Sequence, residues 1–354
     1  MSGAAGSTDG DGIDRLALAG VMRQRGLVAA GALTIERLAG GQSNPTYRVS
    51  SGDRRYVLRK KPPGQLLASA HAIDREYRVM AALRHTAVPV PEVHLYCADP
   101  TVAGTPFYLM EFLDGRVMVD PSLPGMNAGE RAAIYAEMNR VMAALHRVDP
   151  ASVGLSDFGK AGNYFGRQIA RWTRQYRESR TEEIGAMESL IGWLPGRIPP
   201  GEQTAIVHGD YRLDNLVFHR AEPRVIGVLD WELATLGHPL ADFAYHCMCW
   251  HIPADLWRGI GGLDLPALGI PSEGEYVERY CTATGAAALE HWDFYLAYNL
   301  FRIAAILQGI AKRAIDGNAA ASDAHETGRK ARPLAELGWR LAQRYEAKAR
   351  PLNV

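Results

Sequence analysis

Ala205-Ile-Val-His-Gly-Asp-Tyr-Arg-Leu-Asp-Asn-Leu-Val-Phe218, followed by Val225-Ile-Gly-Val-Leu-Asp-Trp-Glu232, is the stretch on which the fold turns. A short apolar run delivers His208-Gly209-Asp210 to a loop, and two further apolar runs, 216–218 and 225–229, flank a turn. Asn215 follows Asp210 by five residues and Asp230 by fifteen more. That layout can present three oxygen-bearing side chains at one end of a β-hairpin. Asp210 can orient an attacking hydroxyl and accept its proton. Asn215 and Asp230 are hard-oxygen ligands suited to Mg²⁺, which is usually held by few protein groups together with phosphate oxygens. Phosphoryl transfer needs little else: positioning, metal-held phosphates and a base at the nucleophile.

Outward from this block, the chain has 354 residues, 47% hydrophobic and 22% charged, the size of two domains or one large one with a full core. Lys+Arg and Asp+Glu are both 39, a balance that argues against a nucleic-acid partner. Cys97, Cys247, Cys249 and Cys281 are too few and too irregular for a disulfide framework and read as reduced thiols of a cytoplasmic chain. No Walker-type loop and no G-x-G-x-x-G occurs, so P-loop and Rossmann readings lose their main support. Residues 294–311 carry one charge, Arg302, in the middle of an apolar run that also holds Asn299 and Gln308. A buried helix explains that pattern better than a membrane span, and no membrane partner is expected.

The first third reads as strands at 33–39, 46–50, 55–61 and 105–112, with a helix at 70–84. Past Leu113-Asp114-Gly115 the pattern turns helical, at 128–147 and 164–177, with the short β island of the key block and more helices after residue 239. The expected organisation is a disordered tail at 1–12, an N-terminal lobe at 13–112 and a C-terminal lobe at 113–354. On strand 55–61, alternation puts Arg59 and Lys61 on one face and Lys60 on the other. Arg167, Arg171 and Arg174 share one helix face, which is either solvated or meets an anionic acceptor.

His208-Gly209-Asp210-x-x-x-x-Asn215 with Leu229-Asp230 resembles the catalytic loop and metal-binding segment of the aminoglycoside phosphotransferase family, relatives of the protein kinases, whose own signature is H-R-D-x-x-x-x-N and D-F-G. The closest likeness is to the kinase-like domain found alone in bacteria and fused to some acyl-CoA dehydrogenases. It extends to Gly40-Gly-Gln-Ser-Asn-Pro-Thr-Tyr-Arg48, Val57-Leu-Arg-Lys-Lys-Pro-Pro-Gly64 and Gly237-His-Pro-Leu-Ala-Asp-Phe-Ala244. The resemblance implies an α+β, bilobal, protein-kinase-like fold, with a small β-rich N-lobe that binds ATP and a larger, mostly helical C-lobe that binds the acceptor. It implies Asp210 as the catalytic base, and Asn215 and Asp230 as Mg²⁺ ligands. Gly41 and Ser43 belong to the loop over the nucleotide phosphates, and Arg59, with Glu76 as ion-pair partner, to the phosphate grip. Glu111 and Phe112 would offer backbone N–H and C=O to the adenine. His208 props the loop, Asp242 braces it, and His238 stands where relatives carry Asp.

The implied activity is ATP/Mg²⁺-dependent phosphorylation of a small-molecule hydroxyl, with a hydroxyacyl-CoA or related hydroxy acid as acceptor. An aminoglycoside kinase or a catalytically silent nucleotide-binding regulator are the alternatives. From residue 245 onward acidic and basic residues balance, which does not favour a polycationic acceptor. The aromatics there, among them Trp250, Trp257, Tyr276 and Trp292, either line an acceptor pocket or pack the core.

Overall fold

Asp14 caps the first helix: its side chain accepts from the backbone N–H of Leu16 (2.9 Å) and Ala17 (3.0 Å). The computed structural model describes residues 12–28, 31–38, 44–62, 73–286, 290–317 and 323–349. Gly41 and Ser43, and all of the expected tail but Gly12, lie outside the described residues. The chain divides into two compact units, one of residues up to Gly115 with Ile226–Ala234, the other of Arg116–Val225 with Thr235 onward. The sequence had suggested one boundary at 112/113; the return of 226–234, which carries Asp230, to the first unit was not foreseen.

In the first unit, α1 (Arg15–Gln24) is followed by β1 (Thr34–Arg37), β2 (Thr46–Ser51), β3 (Arg54–Lys60), α2 (Ile73–Leu83), β4 (Val93–Cys97), α3 (Pro100–Ala103) and β5 (Phe107–Glu111). The strands form one antiparallel sheet in the order β1-β2-β3-β5-β4. Helix α1 was missed, although Leu18 and Met22, one turn apart, enter the core with Tyr47, Val49, Leu58, Leu95 and Phe107. Helix α2 buries Ile73, Glu76, Val79, Met80 and Leu83, so a carboxylate sits within an otherwise apolar stripe.

The second unit is mostly helical: α4 (Ala128–His146), α5 (Tyr164–Glu178), α6 (Gly185–Trp193), then β6 (Ala205–Val207) and β7 (Leu216–Phe218). Along β8 (Val225–Val228) the chain passes into the first unit, and it re-enters the second at β9 (Thr235–Gly237). There follow α7 (Pro239–Cys247), α8 (Leu265–Leu268), α9 (Glu273–Thr284), α10 (Trp292–Ile315), α11 (Ala324–Arg329) and α12 (Ala331–Ala349). Strands β6 and β9 pair antiparallel, Ile206 opposite Leu236. Helix α10 is long and apolar enough to cross a membrane, but 83% of its most apolar window is buried, against α5, α7, α11 and α12. It is the core helix of this unit, and its Asn299 donates to the Ala241 carbonyl at 2.9 Å.

Candidate active site

The buried strand β6 ends at His208-Gly209-Asp210, and the loop that follows is tied down from several sides. Gly209 has φ +82, a left-handed conformation that favours glycine. Asp242, in the first turn of α7, accepts both the His208 N–H (2.7 Å) and the Gly209 N–H (2.9 Å), and His146 lies 3.3 Å from the same carboxylate. Burial works against ionisation of Asp242, but these donors hold its carboxyl below the ordinary aspartate range. His208 Nδ1 accepts the Asp210 N–H at 3.2 Å, the geometry of a prop. His238 caps α7, accepting from Leu240 N–H at 3.2 Å, which requires an unprotonated ring nitrogen.

The Asp210 carboxylate has three partners within the second unit. Tyr245 donates its hydroxyl to Oδ1, Arg212 Nε stands 3.0 Å from the same oxygen, and Asn215 Nδ2 donates to Oδ2 at 3.2 Å. Burial pushes the Tyr245 phenol well above its usual range, so it remains a donor. Asn215 Nδ2 also donates to the Asp210 carbonyl at 2.8 Å. The amide oxygen Oδ1 is an acceptor of the kind a hard cation takes.

Arg59, Glu76 and Asp230 meet in the first unit. Arg59 projects from β3, its Nε 3.2 Å from Glu76 Oε2 and its Nη2 2.7 Å from Asp230 Oδ1, with Glu232 3.8 Å away. Glu76 also accepts from Asn44 Nδ2 (3.1 Å) and the Tyr108 hydroxyl (3.0 Å). Burial pushes the Glu76 carboxyl up to about 7, with Arg59 pulling the other way. For Arg59, burial disfavours the charge, but Glu76, Tyr108 and Asp230 outweigh it and hold the guanidinium above its ordinary value. Asp230 has φ +64, and the buried Trp231 anchors its turn by donating to the Val228 carbonyl at 2.8 Å. Three carboxylates thus face one guanidinium, and among the described residues no His/Cys/Asp/Glu cluster has metal-site geometry; the hard-oxygen donors suited to a divalent cation are Asp230 and Asn215, taken singly.

Lys60 takes no part in this cluster. It is buried on the other face of β3 and its Nζ donates to the Ala103 carbonyl. The Glu111 N–H donates to the Glu92 carbonyl at 2.8 Å. Phe112 lies under the Arg55 guanidinium, 4.8 Å from its ring centroid.

Beside Asp210 the second unit has a recess of about 530 Å³ counting its open mouth. Val119, Met138, Met248, Ile252 and Trp257 give it apolar walls, and Tyr245 and Arg212, the partners of Asp210, also line it. Arg258 Nη1 pairs with Asp214 at 2.9 Å, and Arg212 lies 3.5 Å from the same carboxylate. Of the aromatics weighed from sequence, Trp257 reaches the recess; Trp250 and Tyr276 are core. Arg258 and Asp214 at the recess had no sequence signal beyond their charge. Of the arginines on α5, Arg167 donates to the Gly162 and Lys160 carbonyls and Arg171 lies over Trp172.

Residues 34–298 match the model of the phosphotransferase enzyme family. The chain is 47% identical over 319 residues to acyl-CoA dehydrogenase family member 10 of Mus musculus, covering 90% of this chain and 30% of that protein. It is 42% identical over 314 residues to acyl-CoA dehydrogenase family member 11 of Homo sapiens, covering 88% and 40%. It thus spans well under half the length of these curated relatives. The crystal structure of a provisionally assigned aminoglycoside phosphotransferase from Ralstonia eutropha superposes with a TM-score of 0.87 at 54% identity, over 94% of this chain and 98% of that one. The kinase-like α+β fold expected from the sequence is the fold of this chain.

Proposed function

This chain belongs to the phosphotransferase enzyme family and is a small-molecule kinase, and we propose that it transfers the γ-phosphoryl group of ATP to the hydroxyl of a hydroxylated acyl compound, a hydroxyacyl-CoA or a related hydroxy acid. The observation that carries this reading is the Asp210 carboxylate, held by Tyr245, Arg212 and Asn215 beside an apolar recess. Asp210 orients the acceptor hydroxyl and takes its proton as the oxygen bonds to the γ-phosphorus and the bond to the leaving ADP breaks. Asn215 Oδ1 and the Asp230 carboxylate are the groups that would hold Mg²⁺, which when bound neutralises charge on the phosphates. Arg59 uses Nε on Glu76 and Nη2 on Asp230, leaving Nη1 for a phosphate oxygen. The first unit is then the nucleotide-binding part and the second the catalytic and acceptor-binding part.

The acceptor class rests on the walls of the recess and on the names of the relatives. At the recess, Arg212 and Arg258 are matched by Asp210 and Asp214, so there is no acidic surplus to attract a polycationic antibiotic. The relatives carry acyl-CoA dehydrogenase names, and an acyl chain with one hydroxyl suits apolar walls beside the Asp210 carboxylate. The four free thiols agree with a cytoplasmic setting. The test is ADP release from MgATP with hydroxyacyl-CoAs, free hydroxy acids, sugars and aminoglycosides. Turnover is expected with the acyl compounds, falling about a hundredfold or more in Asp210→Asn. Turnover with aminoglycosides alone would overturn the acceptor assignment, and unchanged turnover in Asp210→Asn would overturn the base.

A further inference from the structure

The middle of α10 carries a buried charge that makes no direct contact with the Asp210 carboxylate or with Arg59. Arg302 is 7% exposed and has no carboxylate within 4.0 Å among the described residues. Its one hydrogen bond among the described residues is from Nη2 to the Gly209 carbonyl, at 2.6 Å. The guanidinium lies 5.0 Å from the ring centroid of Tyr245 and 5.6 Å from that of Trp172. Burying a cation is expensive, and the carboxylate that acts on this one, Asp210, does so without an ion-pair contact, so the buried arginine calls for a reason beyond packing. Leucine or methionine would fill the same helix position without that expense.

We propose that Arg302 is a positioning residue of the phosphotransfer reaction, holding the Gly209 carbonyl and the Tyr245 ring so that Asp210 stays aligned with the acceptor hydroxyl. Both contacts lead to Asp210. Gly209 is its chain neighbour and sits in a left-handed conformation that a bond to its carbonyl helps to maintain. Tyr245 donates to Asp210 Oδ1, and a cation over the face of a phenol fixes the ring and strengthens its hydroxyl as a donor. Asp242 holds the same loop by its N–H groups, so the loop is gripped from α7 and α10 at once. Lysine can keep the charge and one hydrogen bond but not the planar stacking surface.

The inference rests on Asp210 being the base, and its test is chosen to fail separately. The variants are Arg302→Met, Arg302→Lys, Tyr245→Phe and Arg302→Met/Tyr245→Phe, in the full chain. The first readout is the ¹⁹F resonance of 3-fluorotyrosine at position 245, identified by its loss in Tyr245→Phe. It is expected to move in Arg302→Met and to move less in Arg302→Lys. The second is ADP release from MgATP with 3-hydroxybutyryl-CoA, or with water where that acceptor is not used. In Arg302→Met kcat is expected to fall about tenfold to a hundredfold with both KM values within about twofold. Arg302→Lys should recover part of that fall, and the double variant should lose less than the product of the single losses. An unmoved ¹⁹F signal overturns the inference whatever the activity, as do independent losses in the double variant or a fall confined to KM. Full turnover in Asp210→Asn would instead remove the base and leave the Arg302 contacts standing.

Discussion

Acid should loosen the second unit through two histidines that are buried neutral. His238 and His246 are 6% and 8% exposed. His238 accepts the Leu240 N–H as the cap of α7, and His246 Nε2 lies 2.8 Å from the Tyr276 hydroxyl. Burial lowers each from 6.5 to about 4. Between those values the folded chain binds fewer protons than the unfolded one. The stabilisation is therefore intact above pH 6.5 and is lost as pH falls toward 4. At 1.36 kcal/mol per pKa unit, each histidine forfeits roughly 3 kcal/mol by pH 4, and about 2 kcal/mol at pH 5. Glu76, in the first unit, works the other way: raised to about 7 by burial, its contribution is full below 4.5 and declines as pH rises through 7. The assay must therefore resolve the units, by urea denaturation at pH 7.5 and 5.0 with hydrogen exchange read in α7 and α9. His238→Asn keeps a cap oxygen for Leu240 N–H and removes the proton site. It should match the parent within about 1 kcal/mol at pH 7.5 and lose about 2 kcal/mol less on acidification. A variant that keeps the parent's full pH slope, or a parent that is flat across this range, would refute the reasoning.

Arg59→Lys replaces a fork on two carboxylates by a point charge. It should raise the KM for MgATP several-fold and lower the stability of the first unit by about 1–3 kcal/mol, read by initial rates and thermal denaturation. Asp242→Asn turns one of two acceptor oxygens into an amide NH2 that faces either the His208 or the Gly209 N–H, donor against donor. The expected loss is about 1–3 kcal/mol in urea denaturation, with kcat falling more than either KM.

The sequence made the local parts of this molecule readable and left its long-range pairings hidden. The apolar periodicity of α2, α4 and α5 placed those helices within a few residues of their observed ends, and strand alternation separated Arg59 from Lys60. What alternation could not say is where Lys60 goes, because the Ala103 carbonyl it meets lies forty-three residues away. The partner of the Glu111 N–H is hidden for the same reason, since it belongs to the chain entering β4. The return of 226–234 to the first unit depends on packing against α2, which no window of sequence contains. Helix α1 is different: Asp14, Leu18 and Met22 were a usable cap-and-stripe signal.

A physical criterion separates the buried charges that build this fold from those that serve its site. Asp293, also on α10, is buried, yet Arg344 Nη2 at 2.6 Å and Lys348 Nζ at 2.9 Å neutralise it from α12. Those contacts join two helices and stop there. Asp242, Asn215 and Arg302 instead end on the backbone or side chains of 208–210. Glu76 ends on Arg59, as Asp230 does. Glu76, Asp242 and Arg302 are buried charges, and such a charge, even when paired, contributes little net stability. Their common destination is two short segments, the turn at Asp210 and the guanidinium of Arg59. Substituting Asp293 should therefore lower stability and leave kcat of the folded fraction unchanged, whereas the other set should lower kcat out of proportion to stability. Parallel losses in both sets would show that burial alone, and not the destination of the contacts, decides their role.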